Sequence, residues 1–163
     1  MTPSKKSSNT IKLHPCRMQY LINELLMLIV CPIIFLLSGF DANPIRKVTL
    51  IAALIVMLYL VYKYIYLRKI QYIITDEQLI AKHGVFFLSS DYIELYRVID
   101  YDEKRGLLQQ LLGLKTVTIY SGDRSSPKLE MKGLSDNSDI VSIIRERVET
   151  NKQSKGIYEI TNR

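Results

Sequence analysis

The residues of this chain that could carry chemistry are few and widely separated. His83 lies beside Gly84 in a predicted turn, and residues 100–105 mix acidic side chains with basic ones. A metal site needs several His, Cys or carboxylate ligands at short spacings, and none surround His83. A mixed run of charges is usually a solvated loop. We therefore expect no metal, no cofactor, no small-molecule substrate and no enzymatic activity.

The two cysteines favour a structural interpretation over a reactive one. Cys16 and Cys31 are the only cysteines, so no disulfide framework is implied. Cys31 lies inside an apolar run, where cysteine behaves as a small hydrophobic residue. Cys16 directly precedes that run, and palmitoylation of this thiol is an alternative. The chain also lacks the patterns of a glycine-rich phosphate loop and of a nucleophile elbow.

The basic charge is confined to the first half of the chain. Residues 1–70 contain nine Lys or Arg and two acids, whereas the other 93 residues contain thirteen bases and fourteen acids. The bases flank the two longest apolar runs, residues 25–40 and 48–62. This pattern is typical of a membrane hairpin. Because the second half is nearly neutral, it has no basic stripe for a phosphate backbone, and we expect no nucleic-acid partner.

The first 69 residues divide into a lead-in and a predicted hairpin. Residues 1–17 are basic and rich in Ser, Thr, Asn and Lys, which predicts disorder. Residues 18–69 predict two transmembrane helices, at about 18–40 and 48–67, each long enough at ~1.5 Å per residue to cross a core of ~30 Å. Pro32 is expected to kink the first helix. The short link between the helices is dense in turn-forming residues.

Side chains near the end of the second helix predict its depth and orientation. Four tyrosines predict an interfacial belt: Tyr59, Tyr62, Tyr64 and Tyr66. Four bases precede the first helix, two lie in the link and three follow the second helix. The excess of bases on the side of the two termini predicts an integral protein of the inner membrane with both termini cytoplasmic. A cleaved signal peptide is the alternative, but no small-residue cleavage site follows the first apolar run.

Residues 71–150 have the pattern of one small soluble domain. Short apolar runs separated by turn residues predict antiparallel strands at 72–75, 79–82, 85–88, 92–100, 115–120 and 128–132. Two leucine pairs between Gly106 and Gly113 predict one or two helical turns. An apolar stripe predicts a final amphipathic helix, formed by Ile140, Val141, Ile143, Ile144 and Val148. Residues 151–163 form a polar tail.

Several motifs of this half resemble one known family. They are the strand beginning at Tyr72 with Thr75 and Leu79, the His83-Gly84 turn, the run 93–98, and the run 107–117 with its Gln and Gly residues. Together they resemble the bacterial pleckstrin-homology-like domain of the YdbS type. The resemblance implies an α+β fold, in which a transmembrane hairpin precedes a bent antiparallel sheet or barrel that is capped by the C-terminal amphipathic helix.

Two functional hypotheses follow for such a domain at the cytoplasmic membrane face. It binds a protein or peptide along a sheet edge or helix groove and acts as a scaffold, or it self-associates as a structural membrane subunit. A third interpretation is weak binding of anionic lipid, at ~1 kcal/mol per base. The candidate lipid contacts are Lys63, Arg68, Lys69, Arg97, Lys104 and Arg105, with Lys115 and Lys128 as further possibilities.

Overall fold

A computed structural model describes residues 10–39, 45–124 and 126–156. Two long apolar helices precede two antiparallel sheets and a C-terminal helix. The helices are α1 (Met18–Ser38), α2 (Arg46–Lys69), α3 (Leu107–Leu111) and α4 (Ile140–Ser154), with a short 3-10 turn at Leu95–Arg97. The strands are β1 (Ile11–Leu13), β2 (Gln71–Ile74), β3 (Gln78–His83), β4 (Ser89–Glu94), β5 (Val98–Lys104), β6 (Leu114–Ser121) and β7 (Lys128–Ser135).

The strands form one sheet in the order β1-β2-β3-β4 and another in the order β5-β6-β7. All neighbouring strands are antiparallel, and the two sheets do not join into a closed barrel. This architecture confirms the predicted α+β class with a hairpin, a bent sheet and a C-terminal helix.

The core lies between the sheets and α4. Alternation along the strands turns one side chain in two inward, as a half-buried strand requires. Ile74, Leu79, Ile93, Ile119 and Met131 are completely or almost completely buried there. Ile140, Ile144 and Val148 close the core from α4, which confirms the predicted apolar stripe of that helix.

The strand predicted over residues 92–100 is broken in the structure. Ile93 and Leu95 are both buried in the core, but residues 95–97 form the 3-10 turn at which the chain passes between sheets. The Leu95 N–H donates to the Glu77 carbonyl oxygen at 2.9 Å and not to a neighbouring strand. The prediction of one continuous strand is therefore wrong: two strands, β4 and β5, flank the turn.

The strand predicted over residues 85–88 is wrong. These residues form a loop, and the apolar side chains of Phe86, Phe87 and Leu88 are exposed to solvent. The loop begins at Gly84, whose φ of +120° is unfavourable for any residue with a side chain. The chain therefore turns sharply out of β3 before these side chains can join the sheet.

Two expectations for the first helix and its lead-in are also corrected. The predicted disorder of residues 1–17 fails at Ile11–Leu13, which forms β1, while residues 1–9 lie outside the described part. Pro32 lies within α1, but the residue with non-helical dihedrals is Glu24, at φ −112° and ψ 16°. Glu24 is buried and faces Lys63 of α2, so an interhelical contact accompanies the irregularity.

Candidate functional site

The most distinctive feature is the joint between the helical hairpin and the sheets. β1 immediately precedes α1, β2 directly follows α2, and these two strands pair with each other. The hairpin is therefore an insertion between two neighbouring strands. The Nδ1 of His14 donates to the Ile70 carbonyl oxygen at 3.0 Å and draws the two ends together. Both ends of the hairpin are consequently fixed at the same edge of the first sheet.

A buried amide network fastens the start of α1 to the second sheet. The Nε2 of Gln109 donates to the Gln19 Oε1 and to the Thr116 hydroxyl, each at 2.9 Å. Gln19 Nε2 in turn donates to the Asn23 Oδ1 at 2.8 Å. The Oε1 of Gln109 accepts the Gly106 N–H at 3.2 Å. Buried amides are stabilising only when they are paired, and this network pairs them.

Gly133 permits the closest approach between α1 and β7. The Cys16 N–H donates to the Gly133 carbonyl oxygen at 2.8 Å, and the φ of Gly133 is +72°. A Cβ at this position would lie 2.8 Å from the Cβ of Gln19. Only glycine therefore allows the first turn of α1 to lie directly on β7.

Aromatic contacts complete the joint on the side of α2. The rings of Tyr20 and Tyr64 meet edge to face at 5.4 Å, and the Tyr20 hydroxyl donates to the Leu60 carbonyl oxygen at 3.0 Å. Tyr62 stacks on Phe86 with ring centroids 6.2 Å apart and planes 9° from parallel. These contacts hold the hairpin closed and bring the loop at residues 84–88 against α2.

The four tyrosines of the predicted belt all lie near this end of α2. Tyr64 faces α1, Tyr62 faces the loop, and Tyr66 lies 6.3 Å from Tyr62 and lines a cleft. Tyr59 lies beneath the ammonium group of Lys63, which is 5.5 Å from its ring centroid. The interfacial belt itself stays a prediction.

A cleft of about 370 Å³ separates the hairpin from the open corner between the sheets. Tyr72 lines this cleft, and burial raises the pKa of its phenol. Its walls carry the charged side chains of Glu24, Lys63, Lys82, Asp91, Lys128, Glu130 and Lys132, together with His83. A site at the base of two apolar helices with both charge signs can hold a polar head group or a peptide end.

Most charges of the cleft are paired within the protein. Glu130 contacts Lys132 at 3.0 Å and also Lys128, and the hydrogen bonds from these two lysines hold its pKa below the usual value. Glu24 lies 3.9 Å from Lys63, and Asp91 lies 3.7 Å from His83. Binding of an anion here would compete with these internal pairs.

The predicted lipid contacts do not all lie together. Lys63 lines the cleft, and Arg68 and Lys69 are exposed at the end of α2. Lys104 and Arg105 lie just before α3, whose Gln109 contacts α1, so they are at the same end of the domain. Arg97 lies in the 3-10 turn at the opposite end, 3.3 Å from Asp123.

Internal pairs also occupy several of these bases. Lys104 lies 2.7 Å from Asp102, and Arg105 lies 2.7 Å from Glu103. Lys115 is buried and lies 3.0 Å from the other oxygen of Glu103, so a surface role for Lys115 is wrong. Lys63 is likewise paired with Glu24, whereas Arg68 and Lys69 are exposed and make no ion pair in the described part of the chain. The lipid contacts stay a prediction.

Sequence reasoning missed two features of the site. It assigned Gln19 no role, although an amide near the start of an apolar helix is a polar group that must find a partner. It placed the four apolar residues after Gly84 in a strand. Within the described ranges, no three His, Cys, Asp or Glu side chains converge as metal ligands.

One comparison with known proteins identifies the family. The model described as bacterial PH domain matches residues 25–148, which includes most of α1 and all of α2. No curated protein and no solved structure matches the chain. Because the match covers more than half of the 163 residues, the chain belongs to the bacterial PH domain family. The narrower likeness to the YdbS type stays a prediction.

Proposed function

We propose that this member of the bacterial PH domain family is a non-enzymatic scaffold, anchored in the inner membrane, whose domain binds a protein partner at the cytoplasmic face. The observation that carries the proposal is the insertion of the hairpin between the paired strands β1 and β2. A domain joined in this way is held at the membrane at a fixed orientation, as a scaffold requires.

The helices have the dimensions and the surface of membrane spans. At ~1.5 Å per residue, the 21 residues of α1 and the 24 residues of α2 are about 31 and 36 Å long, against a hydrocarbon core of ~30 Å. Only 11% of the apolar stretch of each helix is buried, whereas a core helix of a soluble protein is mostly buried. A bilayer would cover the remaining apolar surface.

The sheet edges supply the proposed docking surface. In the described part of the chain, β4 pairs only with β3, and β5 pairs only with β6. β7 differs because its outer edge is occupied by the Tyr72 hydroxyl, which accepts the Lys132 N–H at 3.1 Å. A partner strand can add to an unpaired edge through main-chain hydrogen bonds. Exposed Tyr92 on β4 and Ile99 on β5 would be its apolar anchors.

Site-specific photo-crosslinking of the full chain in living cells tests this proposal. A benzoyl-phenylalanine placed at Tyr92 or at Ile99 should yield an adduct with a defined second protein, identified by mass spectrometry. The same group at Glu149, an exposed position on α4, is the matched control and should yield none. Absence of any adduct at both edges would contradict the docking role.

The same experiment separates the proposed function from self-association. An adduct at twice the mass of the chain, with no other species, would favour the self-assembling subunit. Binding of anionic lipid is a second candidate because Arg68 and Lys69 are exposed at the end of α2. Replacing both by Gln should then weaken salt-sensitive contact with anionic lipid in nanodiscs, at ~1 kcal/mol per base.

A further inference from the structure

We propose that two apolar projections seat the domain on the bilayer by entering the lipid on either side of the hairpin. The first, here called the aromatic loop, consists of residues 84–88. The second, here called the leucine helix, consists of α3 with Leu112. This inference rests on the proposed membrane anchoring and adds to it a fixed contact between the domain and the lipid.

Both projections expose large apolar side chains that belong to no described core. Phe86, Phe87 and Leu88 are 81%, 92% and 81% exposed, and Leu107 and Leu111 are each 81% exposed. Scattered apolar residues on a surface are ordinary, but clusters of this kind mark contact sites. Removing such apolar surface from water is favourable, roughly in proportion to its area.

The aromatic loop lies beside α2 because of the direction of β3. The pairing of Lys82 with Gln71, which follows α2, shows that β3 returns toward the helices before the loop begins. Phe86 then stacks on Tyr62, which lies seven residues before Lys69 and therefore ~10 Å from the end of α2. Since α2 exceeds the hydrocarbon core by only ~6 Å, a ring at that depth lies within the lipid.

The leucine helix lies beside the start of α1. Gln109 is turned inward and donates its amide hydrogen bond to Gln19. Leu107 and Leu111 are four residues apart and share a face, roughly opposite Gln109. One side of the leucine helix therefore binds the protein, and the opposite side is apolar and exposed. A helix that lies at a membrane interface has the same two-sided arrangement.

A lipid bilayer covers both projections better than a single protein partner would. The aromatic loop contacts α2 and the leucine helix contacts α1, so the two lie against different helices of the hairpin at its sheet end. A continuous apolar medium around the hairpin reaches both at once. Lys82 before the aromatic loop makes no ion pair in the described part and can face anionic head groups.

Tryptophan fluorescence quenching in proteoliposomes tests this inference in the full chain. The sequence contains no Trp, so single substitutions give clean signals. The probes are Phe87→Trp and Leu111→Trp, both at highly exposed sites where a ring is accommodated without repacking. Glu77→Trp, in the turn remote from the helices, is the control for an aqueous position. Circular dichroism confirms that each variant folds.

Lipids brominated near the head-group end of the acyl chain should quench both probes at least about twofold more than the Glu77→Trp control, because only the probes contact hydrocarbon. Quenching of neither probe, or of only one, would overturn the two-sided seating and leave the exposed face to another partner. Leu54→Trp, on the exposed face of α2, reports anchoring separately. If lipids brominated deeper in the chain fail to quench it, the proposed anchoring itself fails.

Discussion

Replacement of Gly133 by Ala should weaken the joint between hairpin and sheet. Two effects combine at this position. Its φ of +72° costs an L-residue ~1 kcal/mol. The added Cβ would also lie 2.8 Å from the Gln19 Cβ, which lies next to the backbone and cannot rotate away. Overpacking of this kind costs ~1–3 kcal/mol.

Gly113 provides a control with nearly the same backbone and no crowding. Its φ is +62°, and no heavy atom lies within 4 Å of an added Cβ. Gly113→Ala should therefore show the backbone effect alone, ~1 kcal/mol. Gly133→Ala should lower the free energy of unfolding by ~2–4 kcal/mol, so the difference measures the contact between α1 and β7.

Denaturant unfolding of the full chain in a mild detergent, followed by circular dichroism, measures both values. Hydrogen exchange adds a local readout, because the Cys16 N–H that donates to Gly133 should exchange faster in the Gly133→Ala variant. Equal destabilisation by the two substitutions, with unchanged exchange at Cys16, would refute the close packing of α1 on β7.

Three further variants test the buried polar contacts. Gln109→Ala should cost ~1–3 kcal/mol in the same unfolding assay, because it leaves the Oε1 of buried Gln19 without its donor. Lys63→Met should destabilise the hairpin since Glu24 loses its cation, and the double variant with Glu24→Gln should recover most of the loss in thermal unfolding. Glu103→Gln should lower stability at neutral pH by leaving Lys115 buried without a carboxylate.

The pH dependence of the Glu103→Gln variant follows from the pKa of the wild-type carboxyl. Hydrogen bonds from Arg105 and Lys115 lower that pKa below its ordinary 4.5. The ionised form therefore stabilises the fold above about pH 4.5, and this contribution is lost as the pH falls through the lower folded value. Unfolding measured across this range should show a difference between wild type and variant that shrinks in acid. A stability difference between wild type and variant that does not change with pH would contradict the role of the ionised Glu103.

Surface variants are the controls for Gln109→Ala and Lys63→Met. Gln110→Ala removes one exposed hydrogen bond, to the Arg105 carbonyl oxygen, and should change stability by less than ~0.5 kcal/mol. Lys69→Met removes an exposed base from the end of α2 and leaves the Lys63–Glu24 pair intact. Adding Glu24→Gln to this variant should therefore not raise its stability. A Gln109→Ala effect as small as that of Gln110→Ala would contradict the role of the amide network.

The sequence predicted those parts of the fold whose side chains follow a simple local pattern. The apolar runs of α1 and α2 are continuous, whereas the alternation of Val117 and Ile119 and the stripe of α4 repeat with the period of their element. These side chains meet the same environment along the whole element. Their placement therefore depends on local sequence.

The errors fall where a distant contact decides the conformation. Ile11–Leu13 pairs with β2, some sixty residues later in the chain, and its apolar side chains pack against the distant core. Apolar residues in the aromatic loop matched a strand pattern, yet the turn at Gly84 points them outward. The hydrogen bond between Gln19 and Gln109 joins residues ninety positions apart, and no local sequence pattern predicts such a pair.

Thiol accessibility in spheroplasts tests the central claim most directly, since Cys16 is exposed beside the sheet. In a Cys31→Ala background, a membrane-impermeant maleimide should label Cys16 only after the membrane is permeabilised. Ile45→Cys, at the other end of the hairpin and with both native cysteines replaced, should be labelled in intact spheroplasts. Labelling of both positions from the same side would contradict a hairpin that spans the bilayer.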